Sequence, residues 1–313
     1  MENFLQDAED VIEATDRFSF KIENEKVNYS LLLNNLAHSL IVNHNLGTTI
    51  YTEEKTGYTL RLSLDEKPGF KYDTRSSSRF SQSSLYSEKD IIIQETIPNP
   101  SGTFTLKTYS FPDFPNKPLS VDENGGYDYR KRPFYIMGKA QPVLKKGEWT
   151  NCYSLVKNFN EIRTGLFYST GLGDDKNELF AVLAMGISTE WISEYLNEAM
   201  QEIHKKGISA FIFERLPDKS KKVLAHSLKA DVFPKDEDGN TIYYSLPKDM
   251  KDRAIEKMIL SVPDSVLGGL ELYGDFEKLF HFDVDGSDYV GIIKTVLPGT
   301  SPDWYVCLYV PEK

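Results

Sequence analysis

The stretch Asp128-Tyr-Arg-Lys-Arg132-Pro-Phe134-Tyr135 concentrates positive charge and aromatic rings near the middle of the chain. A guanidinium offers a rigid fork of donors that fits a carboxylate, and tyrosine hydroxyls give oriented polar contacts on otherwise apolar walls. The stretch is therefore suited to the capture of a small anion, and it offers no nucleophile and base that would transform one. The alternative is the start of a surface helix, with its arginines in ion pairs and its aromatic rings in the core.

The composition is that of an ordinary folded protein. The 313 residues are enough for two domains, and they can bury a core that needs neither disulfides nor metals. Tyr and Phe number 18 each, which favours β-rich structure. The formal net charge of -11 argues against nucleic acid or an anionic membrane as the main partner.

The chain shows neither a cysteine framework nor a membrane anchor. Cys152 and Cys307 form no metal pattern and no clear disulfide framework, so each is expected to be a buried free thiol. No run of about 18 apolar residues could cross a membrane, and no basic segment followed by an apolar one begins the sequence. Because Met1-Glu-Asn-Phe starts inside an apparent helix, we expect a soluble piece cut from a longer protein, with a cytosolic protein as the alternative.

The first half of the chain is predicted to form helices and then strands. Apolar residues recur at helical spacing over residues 4–18 and again over about 28–42. Strands begin at Gly47, with a hairpin turn at 53–57, and residues 149–155 and 162–169 also have strand character. The Ser-rich residues 71–90 predict an exposed loop, with a lid over a pocket as the alternative.

The best-marked element is a helix between Ser188 and Gly207. Ser188 suits the N-cap, Glu190 complements the helix dipole, and Gly207 suits the end of the helix. The continuous apolar run 179–187 precedes it and predicts a central strand that is covered on both faces. More strands and a helix near residues 250–260 follow, so the sequence predicts two stacked α+β modules with a break at 205–207.

The sequence contains no motif of enzymatic chemistry. It has no His-Glu-x-x-His zinc helix, no Gly-x-Ser-x-Gly nucleophile turn and no phosphate loop. The run Asp283-Val-Asp-Gly-Ser-Asp288 lacks the spacing of a calcium loop and predicts a hairpin turn instead. The five histidines show no ligand spacing. We therefore expect a protein that is not an enzyme and that carries no metal and no cofactor.

The order of these segments resembles the double Cache sensor domains, a family of PAS-like extracytoplasmic domains. Residues 128–135 are similar to the family motif Asp-x-Arg-x-Arg-Pro-Trp-Tyr, and Trp149 and Tyr153 resemble its later tryptophan and tyrosine. The apolar strand at 181–188, the capped helix, the strands at 211–213 and 224–227, and Trp304 follow in the family order. The resemblance covers the whole chain, and the order and spacing of the motifs carry more weight than any one of them.

The resemblance implies an α+β fold in which a long N-terminal helix precedes two PAS-like modules, each an antiparallel sheet with flanking helices. It implies an N-terminal helical segment at 1–45, a membrane-distal, ligand-binding Cache module at 46–206 and a membrane-proximal Cache module at 207–313. Such domains are the periplasmic or extracellular parts of receptors in the inner or plasma membrane. The implied partner is a small-molecule ligand, with no nucleic acid, a membrane reached only through transmembrane helices outside this sequence, and a homodimer as a further option.

The amino-acid-binding branch of the family has a pocket pattern that this chain matches in part. Arg132 matches the carboxylate-binding arginine, and Tyr127 lies five residues before it, as the pattern requires. Phe134 stands in place of a tryptophan, and Tyr135 and Tyr153 match tyrosines. The resemblance thus implies a set of ligand-binding residues: Tyr127, Arg132, Phe134, Tyr135, Tyr153, Met185 and Gly186.

One position departs from that pattern. The family aspartate that pairs with the ammonium group of the ligand falls at Gly186, within Met185-Gly186-Ile187. Because a buried ammonium without a counter-charge is strongly penalised, a carboxylate that lacks the amine, such as a short organic acid, fits better than an amino acid. The resemblance, with this departure, thus implies the ligand-sensing ectodomain of a bacterial transmembrane signal-transduction receptor that binds a small carboxylate-bearing molecule in its distal module. The alternative is an interaction or dimerisation module with a vestigial pocket, in which Arg132 forms a structural ion pair.

Overall fold

The structure is a computed structural model, and it describes residues 27–42, 47–64, 87–141, 147–158, 161–174, 176, 178–237, 241–273, 278–296 and 303–312. The helix predicted at 4–18 and all but the last four residues of the loop predicted at 71–90 lie outside these ranges. Within them the fold is α+β, with two antiparallel sheets and flanking helices, as expected.

A nine-stranded sheet follows helix α1 (Tyr29–Val42) in the described part of the chain. Its strands are β1 (Thr48–Glu53), β2 (Thr59–Leu64), β3 (Ile91–Pro98), β4 (Phe104–Ser110), β5 (Ser120–Asp122), β6 (Glu148–Trp149), β7 (Tyr153–Asn158), β8 (Glu161–Gly173) and β9 (Leu179–Ser188). They are ordered β5-β4-β3-β2-β1-β9-β8-β6, and β7 also pairs with β8. Helix α2 (Pro133–Ala140) packs on β8 and β9.

Strand β9 lies between β1 and β8, in the middle of this sheet. Leu183 and Met185 belong to the core cluster that includes α1, whereas Val182 and Ala184 belong to the cluster that includes α2. Because successive side chains of a strand point to opposite faces, this alternation shows that both faces are covered. The prediction of a central, doubly covered strand at 179–187 is confirmed.

Helix α1 buries one stripe against the first sheet. Leu32, Leu36 and Leu40 are spaced four residues apart, and each is at most 1% exposed. They share a core cluster with Leu60 and Leu62, which point to the same face of β2. Burial of a leucine side chain contributes about 1.5–3 kcal/mol, so this stripe holds the helix on the sheet.

Helix α3 (Thr189–His204) joins the two sheets. The Ser188 hydroxyl accepts a hydrogen bond from the Trp191 backbone N–H at 3.2 Å, which is the predicted N-cap. The helix packs on β8 and β9 of the first sheet and on β10 and β11 of the second. Its buried residues Ile192 and Leu196 share the α1 core cluster with Trp304 of the second sheet. The two sheets are therefore connected by continuous packing.

The second sheet has five strands among the described residues, in the order β11-β10-β14-β13-β12. They are β10 (Ser209–Arg215), β11 (Lys221–His226), β12 (Lys278–Val284), β13 (Ser287–Val296) and β14 (Asp303–Pro311). The turn at 285–286 has φ of 54° and 87°, which confirms the predicted hairpin. Helix α4 (Arg253–Ser261) is near its predicted place, whereas α5 (Asp264–Tyr273) was missed, because Gly268 and Gly269 lower its helix propensity.

The strand predicted at 149–155 is interrupted, and this is a correction. Strand β6 ends at Trp149 and β7 begins at Tyr153. Between them, the Thr150 hydroxyl accepts a hydrogen bond from the Phe167 backbone N–H at 3.0 Å, so a side chain replaces a ladder carbonyl at this point. The backbone N–H of Thr150 still donates to the Phe167 carbonyl, at 2.8 Å. In the interruption, the Cys152 backbone N–H donates to Glu214 in β10 of the second sheet, at 3.2 Å.

Candidate functional site

Arg130, the first arginine of the quoted stretch, has a structural role. Its Nε and Nη2 donate to the two carboxylate oxygens of Asp128 at 2.8 and 3.1 Å, and its Nη1 donates to the Glu54 carbonyl at 3.1 Å. These hydrogen bonds from Arg130 lower the pKa of Asp128. The bidentate pair orients Arg130 within the short turn before α2, and the bond from its Nη1 to the Glu54 carbonyl fastens this turn to the turn between β1 and β2.

Arg132, two residues later, is in a different environment. Its guanidinium carbon lies 5.3 Å from the ring centroid of Tyr127 and 5.9 Å from that of Tyr153. Among the described residues, no carboxylate lies within 4.0 Å of this guanidinium. Two tyrosine rings thus hold a cation that has no acidic partner in the described part of the protein.

The Tyr153 hydroxyl is buried beside this cation. It has no hydrogen-bond partner among the described residues, and the nearby Phe134 backbone N–H does not reach it with ordinary hydrogen-bond geometry. Burial raises the pKa of Tyr153, and the positive charges of Arg132 and Arg61 partly offset this rise. Because a buried polar group without a partner is costly, the hydroxyl is a ready contact for a small polar molecule.

Phe134 and Tyr135 both lie in the α2 core, and neither is more than 2% exposed. The Tyr135 hydroxyl donates to the Glu54 carboxylate, which also accepts from Lys139. Burial would raise the pKa of Glu54, but the hydrogen bonds from Lys139 and Tyr135 outweigh it and lower the pKa. The Tyr135 hydroxyl is therefore engaged in holding α2 on the turn after β1.

Met185 lies on the wrong face of the sheet for the predicted site. It is 0% exposed and belongs to the core cluster of α1, whereas Phe134 and Tyr135 belong to the cluster on the opposite face. The alternation of β9 places Gly186 on the α2 face and Met185 on the other. Met185 is therefore a core residue, and its inclusion among the ligand-binding residues is corrected.

Gly186 leaves room for an aromatic ring. A Cβ at this position would lie 2.5 Å from Cε1 of Phe167 and 2.7 Å from Cγ2 of Thr48. The Phe167 ring centroid is 5.3 Å from that of Phe134 and 5.9 Å from that of Tyr153. Phe167 thus fills the space beside Gly186 and extends the aromatic wall that begins at Phe134.

Sequence reasoning did not find Phe167 or Arg61. Arg61 is paired across the sheet with Ile50 of the α2-face cluster, and it donates to Thr48 Oγ1 at 3.2 Å and Gln94 Oε1 at 3.3 Å. The available signal was the alternation of β2, in which apolar leucines face one side and Arg61 faces the other. A charged residue on a strand face that the fold covers indicates that this face holds polar groups as well as apolar core.

The site offers a cation and hydroxyls on an aromatic wall. Among the described residues, no group of His, Cys, Asp and Glu side chains could hold a metal ion. The predicted residues that the structure brings together are Tyr127, Arg132, Phe134, Tyr153 and Gly186, and Phe167 joins them. The Tyr135 hydroxyl is bonded to Glu54 instead. Such a set can bind a small anion by charge, with its remaining surface against rings.

No protein-family model and no curated protein matches this chain. Solved structures with a similar fold include a protein described as methyl-accepting chemotaxis protein X, at 12% identity and TM-score 0.52, with 99% of this chain and 93% of that chain covered. The periplasmic sensory domain of the Campylobacter jejuni chemoreceptor Tlp1 matches at 10% identity and TM-score 0.53, over 99% of this chain and 88% of that one.

A third similar structure is the ligand-binding domain of the Pseudomonas aeruginosa PAO1 amino acid chemoreceptor PctC in complex with GABA. It is 14% identical, with TM-score 0.50 and coverage of 99% of this chain and 92% of that chain. At these identities the likeness is one of fold. The chain has the two-module fold of chemoreceptor sensory domains, as its resemblance to the double Cache domains predicted. None of the helices within the described residues is both long and apolar enough to span a membrane.

Proposed function

We propose that this chain is the extracytoplasmic, ligand-sensing part of a bacterial transmembrane receptor, and that it binds a small carboxylate in its first module. That module comprises residues 46–206 and is the membrane-distal one, and residues 207–313 form the membrane-proximal module. The chemoreceptor sensory domains of similar fold support the sensory role. The chain acts by binding its ligand, without catalysis.

The single observation that carries this proposal is the contrast between Arg130 and Arg132. Arg130 is satisfied by Asp128, whereas Arg132 is held by two tyrosine rings and has no carboxylate within reach among the described residues. A structural ion pair at Arg132, as the vestigial-pocket alternative requires, is not formed within that part of the chain. A ligand carboxylate would supply the missing charge and could accept a hydrogen bond from the Tyr153 hydroxyl.

The surroundings of Gly186 favour a carboxylate without an adjacent amine. The wall on this side is the Phe167 ring, packed against Phe134 and Tyr153. The face of an aromatic ring stabilises a ligand ammonium less than a carboxylate side chain of the protein would. Burial of an apolar ligand body against the ring is favourable. We therefore propose a carboxylate with an apolar body, such as a short aliphatic or aromatic acid.

A thermal-shift screen tests the proposal, because a ligand that binds only the native state raises the melting temperature. The panel contains propionate, benzoate and succinate, with alanine, γ-aminobutyrate and putrescine as molecules that carry an amine. We expect a saturable shift with an amine-free carboxylate, lost in Arg132→Ala. The matched control is Lys131→Ala, which removes the same charge from an exposed neighbour and should leave the shift unchanged.

Two results would count against this site. One is an equal shift in wild type and Arg132→Ala. The other is a folded wild-type chain that shows no shift with any member of the panel, which would favour an interaction module. A shift with alanine that exceeds the shift with propionate would retain the site but contradict the amine-free ligand.

A further inference from the structure

Glu214 is a fully buried carboxylate at the junction of the two sheets. It belongs to β10 and is 0% exposed. Its Oε1 accepts hydrogen bonds from the Cys152 backbone N–H at 3.2 Å and from Trp304 Nε1 at 3.3 Å, and its Oε2 accepts from the Tyr244 hydroxyl. One partner thus comes from the first sheet region and two from the second.

The interruption between β6 and β7 explains why the Cys152 amide needs this partner. Strand β6 ends at Trp149 and β7 begins at Tyr153, so Cys152 lies in the gap between the two. Cys152 itself is only 5% exposed, and water does not readily satisfy its N–H. Because a buried backbone N–H without a partner costs free energy, the carboxyl group of Glu214 fixes the position of this segment.

The fixed segment leads directly into the candidate ligand site. Tyr153 follows Cys152, and its ring centroid lies 5.9 Å from the Arg132 guanidinium carbon. The Tyr153 hydroxyl is buried and has no hydrogen-bond partner among the described residues. A displacement of the Cys152 backbone therefore displaces a wall of that site.

We propose that Glu214 is a positioning residue: its carboxyl group holds the Cys152 backbone, and through it the Tyr153 side chain, and so connects the first module's ligand site to the second sheet. The expected effect of Glu214 on ligand binding rests on the function proposed above. Its positioning of the Cys152 backbone does not depend on that function. Trp304 and Tyr244 are the residues of the second module that orient this carboxyl group.

The environment of Glu214 identifies the substitution that preserves the contact. Burial raises the pKa of Glu214 to about 7, although hydrogen bonds from Tyr244, Trp304 and Cys152 and the charge of Lys222 lower it. The titratable groups facing it are the Cys152 thiol, the Tyr244 hydroxyl and Lys222, whose Nζ is 4.5 Å from the Tyr244 ring centroid. Gln has the shape of the protonated acid, so Glu214→Gln keeps an oxygen for the Cys152 N–H and removes the charge.

The two cysteines of the chain provide an internal comparison. Cys152 and Cys307 are both free and buried, and Cys307 lies in the second core, in β14. Each variant is reacted with N-ethylmaleimide under native conditions, and labelling is resolved by peptide mass spectrometry. We expect Glu214→Ala to speed labelling of Cys152 relative to Cys307 by about tenfold, which corresponds to one buried hydrogen bond. Glu214→Gln should restore the wild-type ratio to within about threefold.

Amide hydrogen exchange adds a measurement on the wild-type chain. The Cys152 N–H should exchange as slowly as the amides of β8, and in Glu214→Ala this protection should be lost. The matched control is Glu53→Ala, which removes a buried carboxylate bonded to Tyr29 and Thr56 at the far end of β1. It should leave the Cys152-to-Cys307 ratio unchanged.

Several results would overturn the proposal. Equally faster labelling of both thiols in Glu214→Ala would show general destabilisation of the fold. Unchanged labelling of Cys152 in a folded variant would show that Glu214 does not hold the Cys152 backbone in place. If Glu214→Ala does not fold, the wild-type chain still provides a test: rapid exchange of its Cys152 N–H would overturn the proposal.

Binding of propionate or benzoate is measured separately, by calorimetry. Positioning predicts about tenfold weaker binding in Glu214→Ala and near wild-type binding in Glu214→Gln. Binding that is lost in Arg132→Ala but unaffected by Glu214→Ala would leave the site standing and remove the connection. If the thiols respond as expected and no carboxylate binds, the positioning of the segment stands and the proposed function fails.

Discussion

The ring of Phe167 occupies the space that a side chain on residue 186 would need, since a Cβ there would lie 2.5 Å from Cε1 of Phe167. Gly186 and Phe167 are opposite one another on β9 and β8. This pairing accounts for the absence of a side chain at position 186, where the resemblance to the amino-acid-binding branch of the double Cache domains implied an aspartate. The Phe167 ring gives the site an aromatic wall at this point.

Gly186→Ala should therefore destabilise the chain by about 2 kcal/mol, because overpacking of a close-packed core costs about 1–3 kcal/mol. The measurement is urea denaturation. In a Phe167→Leu background the added methyl group should cost less, and a double-mutant cycle reports the difference as a coupling energy. Gly268→Ala is the control: a Cβ there meets nothing within 4 Å, so this helical site should be neutral or gain up to about 1 kcal/mol. Equal costs of Gly186→Ala in both backgrounds would contradict the role of Phe167.

Substitution of Arg130 should mainly reduce stability, whereas substitution of Arg132 should mainly reduce ligand binding. Arg130→Ala removes a bidentate pair with Asp128 and a bond to the Glu54 carbonyl, and should cost about 1–3 kcal/mol in chemical denaturation. Arg132→Ala breaks no ion pair within the described residues and loses the contacts with the Tyr127 and Tyr153 rings, so its free energy of unfolding should fall by no more than about 1 kcal/mol. A larger loss in Arg132→Ala than in Arg130→Ala would reverse the assignment of the two roles.

Tyr135 tests whether a residue that matches the family pattern contacts ligand here. Its hydroxyl donates to Glu54, so Tyr135→Phe should reduce the free energy of unfolding by about 1 kcal/mol and leave the affinity for a carboxylate unchanged. The comparison variant is Tyr153→Phe, which removes the buried hydroxyl beside Arg132 and should weaken binding with little loss of stability. Weaker binding in Tyr135→Phe alone would return Tyr135 to the site.

Much of the fold could be predicted from the sequence because its signals are local. The Ser188 N-cap, the apolar run of β9 and the turn at 285–286 each have a pattern a few residues long, and each is found in the structure. The fold class then followed from the order of these elements and from the resemblance. Helix α5 escaped prediction because two glycines interrupt its pattern, and its stability comes from packing on β13.

The candidate site was only partly predictable because it depends on which face of a strand a residue occupies. Met185 and Gly186 are adjacent in sequence but lie on opposite faces of β9. Only Gly186 lies on the α2 face, so only it can border the candidate site. Phe167 and Arg61 join the site through cross-strand neighbours that are distant in sequence. Glu214 follows the apolar run 210–213 in the sequence, and no local pattern links it to Cys152, whose backbone N–H donates a hydrogen bond to it.

The stability of the chain should depend on pH through two buried groups with opposite effects. Burial raises the pKa of Glu214 from 4.5 to about 7, so the folded state retains its proton longer than the unfolded state. The stabilisation from Glu214 is present below about pH 4.5 and is lost as pH rises through about 7. Burial, with a smaller effect from His204, lowers the pKa of His226 from 6.5 to about 3. Its contribution is present above about pH 6.5 and is lost as pH falls toward 3.

Between pH 4.5 and 6.5 these two slopes oppose each other, so the wild-type chain should show a flatter stability profile than either single variant. In Glu214→Gln the free energy of unfolding should rise more steeply with pH, by up to about 2 kcal/mol between pH 5 and 6.5 from His226 alone. His226→Gln keeps an acceptor for the Leu228 N–H and a donor for Tyr309, and its profile should fall over the same interval. Urea denaturation at four pH values measures both profiles. Parallel profiles in wild type and Glu214→Gln would mean that Glu214 is ionised throughout this range, and its carboxylate would then have to be stabilised by Lys222 and its three hydrogen bonds despite its burial.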